Sequence, residues 1–374
     1  MRIQIPRLLH KYPLRALMLS MLIMPACFSC TAVAQPDGLQ VQPAITSAMA
    51  AQSVMLSVAR AGQRLVAVGE RGFIIVSDDN GNSWQQVSSP VSMTLVKVRF
   101  INDSEGWVVG HAGIVLHTQD GGLSWKKQFD GVQAAGIELQ EAKRAVESSE
   151  KTEMAQEGLA QAQQLVDEGP DKPFLDLLFL DAKNGLVVGA YGLAFVTHDG
   201  GLSWQSIRSR INNPSGLHLY SIERVGADLF IAGEQGTLLR SSDEGQTFES
   251  LTSPYEGTTF GLQATNSGSI LAFGLRGKAF ESKDRGDTWQ PLDTLQPVSL
   301  TSGLRLADGS VLLTDESGRV LRYADGDTKA AVLQIAQPSY FTGMAQAANG
   351  NLIISSARGM LSSAVAVDLP EHDQ

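Results

Sequence analysis

One eight-residue phrase returns five times along this chain: SDDNGNSW from Ser77, TQDGGLSW from Thr118, THDGGLSW from Thr197, SSDEGQTF from Ser241 and SKDRGDTW from Ser282. The shared pattern is Ser/Thr-x-Asp-x-Gly-x-Ser/Thr-aromatic. The closing aromatics stand 41 residues apart from Trp84 to Trp125 and again from Phe248 to Trp289, and 44 apart from Trp204 to Phe248. Self-similarity at a period of about 20–50 residues dictates an array whose units bury their apolar faces on one another. Trp125 to Trp204 spans 79 residues, so that interval holds a lost copy or an insertion.

A second motif runs just upstream of each phrase. It reads GERG at Gly69, GHAG at Gly110, GAYG at Gly189, GEQG at Gly233 and GLRG at Gly274, with degenerate copies DESG at Asp315 and SARG at Ser356. The count is seven. Each unit also carries short alternating runs, such as LVKVRFI, GWVVG, GIVLHT and SWKKQF in the second. Four short strands per unit with glycine turns between them describe a propeller blade. The expectation is an all-β, seven-bladed β-propeller. The seventh unit ends without room for a fourth strand, so GLQVQPAI (38–45) is expected to supply it and close the ring.

The repeated aspartates, Asp79, Asp120, Asp199, Asp243 and Asp284, fall between the third and fourth strands of their units. A carboxylate there accepts backbone N–H bonds, and the glycine two places on suits a positive φ. A catalytic site needs one such residue, so five copies read as turn staples. The octapeptides resemble the Asp-boxes, or bacterial neuraminidase repeats, of sialidases and many other propellers. Together with the G-x-x-G tips and the N-terminal LQVQ, the chain resembles the photosystem II stability and assembly factor family, over roughly Gln40 to Leu361. Relatives of that family also occur in bacteria without photosystems.

The long interval contains GVQAAGIELQEAKRAVESSEKTEMAQEGLAQAQQLVDEGPDKP, residues 131–173, with no strand alternation and many strong helix formers. Leu139, Ala142 and Val146, then Leu159, Ala162 and Val166, recur at helical spacing. GPDKP stops the run. The expectation is a helix or helical hairpin inserted between blades 2 and 3, either packed on the blades or held out as an arm for a partner.

Strand alternation puts the Asp-boxes on one face, and the G-x-x-G tips, the blade connections and the insertion on the other. Arginine holds the third tip position as Arg71, Arg276 and Arg358, and Arg319 follows the blade 6 tip glycine. These blades, 5, 6, 7 and 1, are neighbours in a closed ring. Arginine suits bidentate recognition of carboxylates. The family resemblance implies an arginine-bearing surface that meets a membrane-protein client, and these four positions would match it. Glu70, Asp315 and Glu316 stand close enough to compete for the charge.

The N-terminus reads as a cleavable signal peptide over 1–34: four basic residues, then ALMLSMLIMPACF, then Ala-Val-Ala-Gln. Anchoring at Cys27 or Cys30 is the weaker alternative, since neither has a good lipobox. Both cysteines lie in this segment, which leaves the rest of the chain without thiol chemistry or disulfides. Removing it takes the net charge from −10 to −14, a poor balance for nucleic-acid binding. The expected protein is periplasmic and monomeric, with no membrane span of its own.

Hydrolysis is the rival reading, because sialidases carry Asp-boxes. They need an arginine cluster, a tyrosine paired with a glutamate, and an acid. Tyr255-Glu256 is the only such neighbour pair and lies in a loop; the inner-strand charges are Lys97, Arg99, Glu223, Arg224 and Arg305. His111, His117, His198, His218 and His372 show no metal-ligand spacing, and no phosphate loop or Gly-x-Ser-x-Gly occurs. No catalytic residue, metal or cofactor is assigned. The expected role is an exported assembly or interaction factor that binds an acidic client segment of a membrane protein complex in the envelope. A sialidase-like glycoside hydrolase is the alternative.

Overall fold

The computed structural model describes residues 42–148 and 152–364. Seven antiparallel sheets follow one another along the chain, six with four strands and the last with three among the described residues. Their inner strands are Met55–Ala61, Leu95–Phe100, Phe174–Phe179, Leu219–Val225, Thr259–Ala264, Leu300–Arg305 and Phe341–Gln346. Each inner strand packs beside the next, and the seventh packs beside the first, so the blades form a closed ring.

There is no single core. Seven apolar clusters fill the seven junctions between blades, from the blade 1–2 set around Val66, Ile74, Leu95 and Val108 to the blade 7–1 set around Met55, Leu65, Phe73 and Ile353. The period-2 strands supply this, because each sheet must bury both faces against its neighbours.

Every inner strand carries a bulge near its start, with shifts at Met55/Ser57, Leu95/Lys97, Leu219/Ser221, Thr259/Gly261, Leu300/Ser302 and Phe341/Gly343, and in blade 3 opposite Val188/Gly189. The bulge re-aims the next side chain.

The five Asp-boxes share one geometry. In blade 1, Asp79 Oδ1 accepts from Ser77 Oγ (2.7 Å) and Ser83 N (2.9 Å), and Oδ2 accepts from Ser83 Oγ (2.6 Å). The same three bonds recur at Asp120, Asp199, Asp243 and Asp284. The Ser83 hydroxyl and amide hold the Asp79 carboxyl down at about 2, and the Thr288 pair does the same for Asp284.

Two expectations concern the periphery of the ring. Of the closing strand over 38–45, residues 42–45 form no strand, and 38–41 lie outside the described residues. Ala44 N donates to Ser89 O (3.1 Å), beside blade 1. The Gln86 side chain holds this path, donating to Ile45 O and accepting from Ser47 N, both at 2.8 Å. An amide side chain offers a passing backbone the same donor and acceptor pair that a strand would.

The insertion is a helical hairpin of α1 (Gly131–Ser148) and α2 (Glu153–Glu168). Asp130 Oδ1 caps α1 by accepting from Val132 N and Gln133 N (3.1 Å each), and Thr152 Oγ1 caps α2. The buried face is Ala134, Ala135, Glu138 and Ala162, while Leu139, Ala142 and Val146 are only half-buried and Val166 is exposed. The hairpin therefore docks through small residues and one carboxylate. Glu138 Oε1 accepts from Ser206 Oγ (2.5 Å) on the outer strand of blade 3, and burial raises its pKa. The expected signal peptide, 1–34, lies outside the described residues.

Candidate functional site

The tip face is built by one hydrogen bond repeated seven times. In each blade the second tip residue donates its N–H to the carbonyl just before the inner strand: Glu70 to Val54, His111 to Thr94, Ala190 to Pro173, Glu234 to His218, Leu275 to Thr258, Glu316 to Ser299 and Ala357 to Tyr340. In blades 1 to 5 the third tip residue is then forced into the left-handed region: Arg71 (φ 56°), Ala112 (59°), Tyr191 (55°), Gln235 (49°) and Arg276 (57°). The glycine after it cannot be replaced lightly. A Cβ on Gly72 would sit 2.0 Å from Val91 O at φ +72°.

Arg71 and Arg276 stand on these turns, exposed, and Arg358 is exposed on the blade 7 tip. Among the described residues none of the three has a carboxylate within ion-pair distance. Arg319 differs. Its guanidinium lies 2.6 Å from the fully buried Asp315 carboxylate, which also accepts from Ser317 and from Arg319 N. That arginine is spent on its own turn, and three of the four expected arginines remain presented on blades 5, 7 and 1.

The second charged locus is the central channel, a cavity of about 720 Å³ lined by the inner strands. Lys97, Arg99 and Glu223 face it. Arg99 bridges three blades: Nη2 meets Asp176 Oδ2 at 2.8 Å, Nη1 meets Glu223 Oε2 at 3.3 Å, and Nη2 donates to Ile222 O at 3.0 Å. Burial opposes the charge, but the two carboxylates outweigh it and raise the Arg99 pKa. Asp176, only 1% exposed, also accepts from Leu177 N, Ile222 N and Ser221 Oγ. Lys97 has no hydrogen-bond partner among the described residues, and burial lowers its pKa.

The hydrolase constellation does not assemble among the described residues. No tyrosine lines the channel. Arg224 turns to its own loop, donating to Gly226 O, and Tyr255 sits in a blade 4–5 connection held by Ser253. No group of three or more His, Asp, Glu or Cys suited to a metal occurs among the described residues. Sequence reasoning missed Asp176, whose role shows only once blades 2, 3 and 4 are brought together, and Arg60 at the channel mouth.

Comparison with known proteins agrees with this architecture. Over 118 residues the chain is 28% identical to the photosystem II assembly lipoprotein Ycf48 of Synechococcus sp. (strain CC9902), covering 31% of this chain and 35% of that protein. It is 33% identical over 72 residues to the uncharacterized protein YkuO of Bacillus subtilis (strain 168), covering 19% and 24% of the two. The matched stretches thus span about a third or less of the length of these relatives. Among solved structures, YCF48 bound to D1 peptide superposes with a TM-score of 0.59 at 18% identity, covering 85% of this chain and 95% of that one. The family model described as photosynthesis system II assembly factor YCF48 matches residues 43–142 and 155–359, and the gap between the two stretches falls in the middle of the hairpin. The chain belongs to the YCF48 family of photosystem II assembly factor propellers.

Proposed function

We propose that this protein is an exported, non-enzymatic assembly factor that binds an acidic segment of a membrane protein in the envelope through its tip face. Arg71, Arg276 and Arg358 are the contacts, and Arg319 is a structural neighbour. The observation that carries the reading is the exposure of three arginines, without carboxylate partners among the described residues, on the tips of blades 5, 7 and 1 of a chain with net charge −10. Loops held by repeated backbone bonds lose little entropy on binding. The related YCF48 has been solved with a D1 peptide, which is consistent with peptide recognition by this fold. The helical hairpin rises between blades 2 and 3 and would guide the client's approach. The protein acts as a monomer in the periplasm.

The test is capture of tagged protein from detergent-solubilised membranes, with quantitative mass spectrometry of the proteins that co-purify. A parallel sample carries Arg71→Glu, Arg276→Glu and Arg358→Glu. A membrane protein held by the wild type and lost by the variant identifies the client. Equal retention by both removes the arginines from the binding site, and failure of the wild type to hold any membrane protein removes the reading altogether.

A further inference from the structure

The central channel has the makings of a ligand site distinct from the tip face. Its charged residues are unevenly satisfied. Asp176 and Glu223 are both committed to Arg99, so neither is available to a cation. Lys97 is not committed to any partner among the described residues, and Ser302 and Asn266, which share the wall with it, also make no side-chain hydrogen bond there. Two further arginines, Arg60 and Arg305, line the same cavity; Arg60 has no carboxylate partner among the described residues, and Arg305 reaches only Thr265 O at 3.4 Å. Four cations thus meet two carboxylates in a protein that is acidic overall.

These groups lie at two levels. Lys97 follows the bulge of its inner strand, as Ser57 and Ser302 do in blades 1 and 6. Arg60 and Arg305 come three residues later in those same blades, which is about 10 Å further along the strand at about 3.3 Å per residue. The inner strands start at the tip face, so the arginines stand at the opposite, Asp-box mouth. An anion entering there meets two exposed guanidiniums first and the lysine inside, an arrangement that concentrates and then holds negative charge. Opposite Lys97 the inner strands present Gly261, Ser302 and Gly343, with the Phe273 ring packed against Gly261. The cavity of about 720 Å³ is of the size of small-molecule sites, usually about 300–1,000 Å³. Its polar wall suits hydroxyls as well as carboxylate.

We propose that the channel binds a small hydroxylated organic acid, entering at the Asp-box mouth, with its carboxylate on Lys97 and its hydroxyls on Ser302. A bound carboxylate would supply the partner that Lys97 lacks and offset its desolvation. The site does not depend on the tip-face arginines.

Isothermal titration of the purified protein with citrate, glucuronate, glucose and sulfate tests this directly. At least one of the two organic acids is expected to bind below about 1 mM, with glucose and sulfate far weaker. Lys97→Met is expected to weaken that binding at least about tenfold. The triple tip variant (Arg71, Arg276 and Arg358 to Glu) is expected to bind the acid as the wild type does, which separates this site from the client surface. Should Lys97→Met melt well below the wild type, Arg60→Gln with Arg305→Gln supplies the second reading: a severalfold loss at low salt that shrinks as salt is raised. The proposal is overturned if neither acid binds up to about 10 mM. It is equally overturned if sulfate binds as well as the acids, or if the well-folded Lys97 variant binds unchanged.

Discussion

Replacing Asp176 with alanine should unfold the protein far more readily than replacing any exposed acid. The carboxylate sits on the inner strand of blade 3 and accepts five hydrogen bonds from blades 2, 3 and 4: two from Arg99, two from the amides of Leu177 and Ile222, and one from Ser221. Its removal leaves two buried amides without an acceptor, at about 1–3 kcal/mol each, though water in the channel would recover part of this. It also leaves Arg99 with one carboxylate instead of two, and breaking a buried pair costs about 3–5 kcal/mol. These effects overlap because they share one carboxylate, so about 4 kcal/mol is expected for the whole. Unfolding entropy for a chain of this length is roughly 0.7 kcal/mol per kelvin, which converts the loss to a melting point about 6 °C lower. Differential scanning calorimetry reads it. Asp176→Asn keeps an acceptor oxygen and should lose about half as much. A drop under about 1.5 °C for the alanine variant would refute the claim that this residue clamps three blades.

The hairpin and turns give further tests. Glu138→Gln should stabilise the protein at pH 7.5 and leave it unchanged at pH 4: the folded-state pKa is raised, so the native carboxylate favours folding when protonated and loses that contribution as pH rises through its folded value. Melting curves across that range check the sign. The Asp-box carboxylates run the other way. Held near 2 against an ordinary 3.8 at Asp79, Asp243 and Asp284, they stabilise fully above about pH 4 and lose that contribution as pH falls toward 2, so acid unfolding should steepen across that window. Asp199→Ala should cost about 1–2 kcal/mol by urea titration and leave the ring closed. Gly72→Ala should cost about 2–4 kcal/mol, since it combines a left-handed backbone with a Cβ driven into the Val91 carbonyl.

The architecture was legible because its signals are local and repeated. An Asp two residues after Ser or Thr, with Gly and a hydroxyl beyond it, specifies a turn wherever it stands, and seven tips count the blades. What stayed hidden depends on distant residues. Arg99 and Glu223 are readable as inner-strand charges, but their meeting around Asp176 requires blades 2, 3 and 4 to pack side by side, across 124 residues of sequence. Arg319 looked like a surface cation because its partner is the first residue of its own tip, and only the structure shows Asp315 to be wholly buried. Of the hairpin's buried face the period found only Ala162; Ala134, Ala135 and the Glu138 carboxylate carry the rest and fall outside a stripe read from the larger apolar residues. The path of 42–47 rests on the side chain of Gln86 and one backbone bond to Ser89, which no periodicity reports.

The junction between blades 7 and 1 is filled much like the other six, with Thr342 Oγ1 also donating to Met55 O at 2.7 Å. The chain's first and last blades therefore meet across a seam that its own apolar packing can hold. Where the polypeptide starts is then nearly arbitrary: joining the ends of the ring and cutting a different blade-to-blade loop should give a circular permutant that folds to the same ring. Excising one blade is a different matter, because six blades of this width and twist would have to re-angle every remaining junction at once.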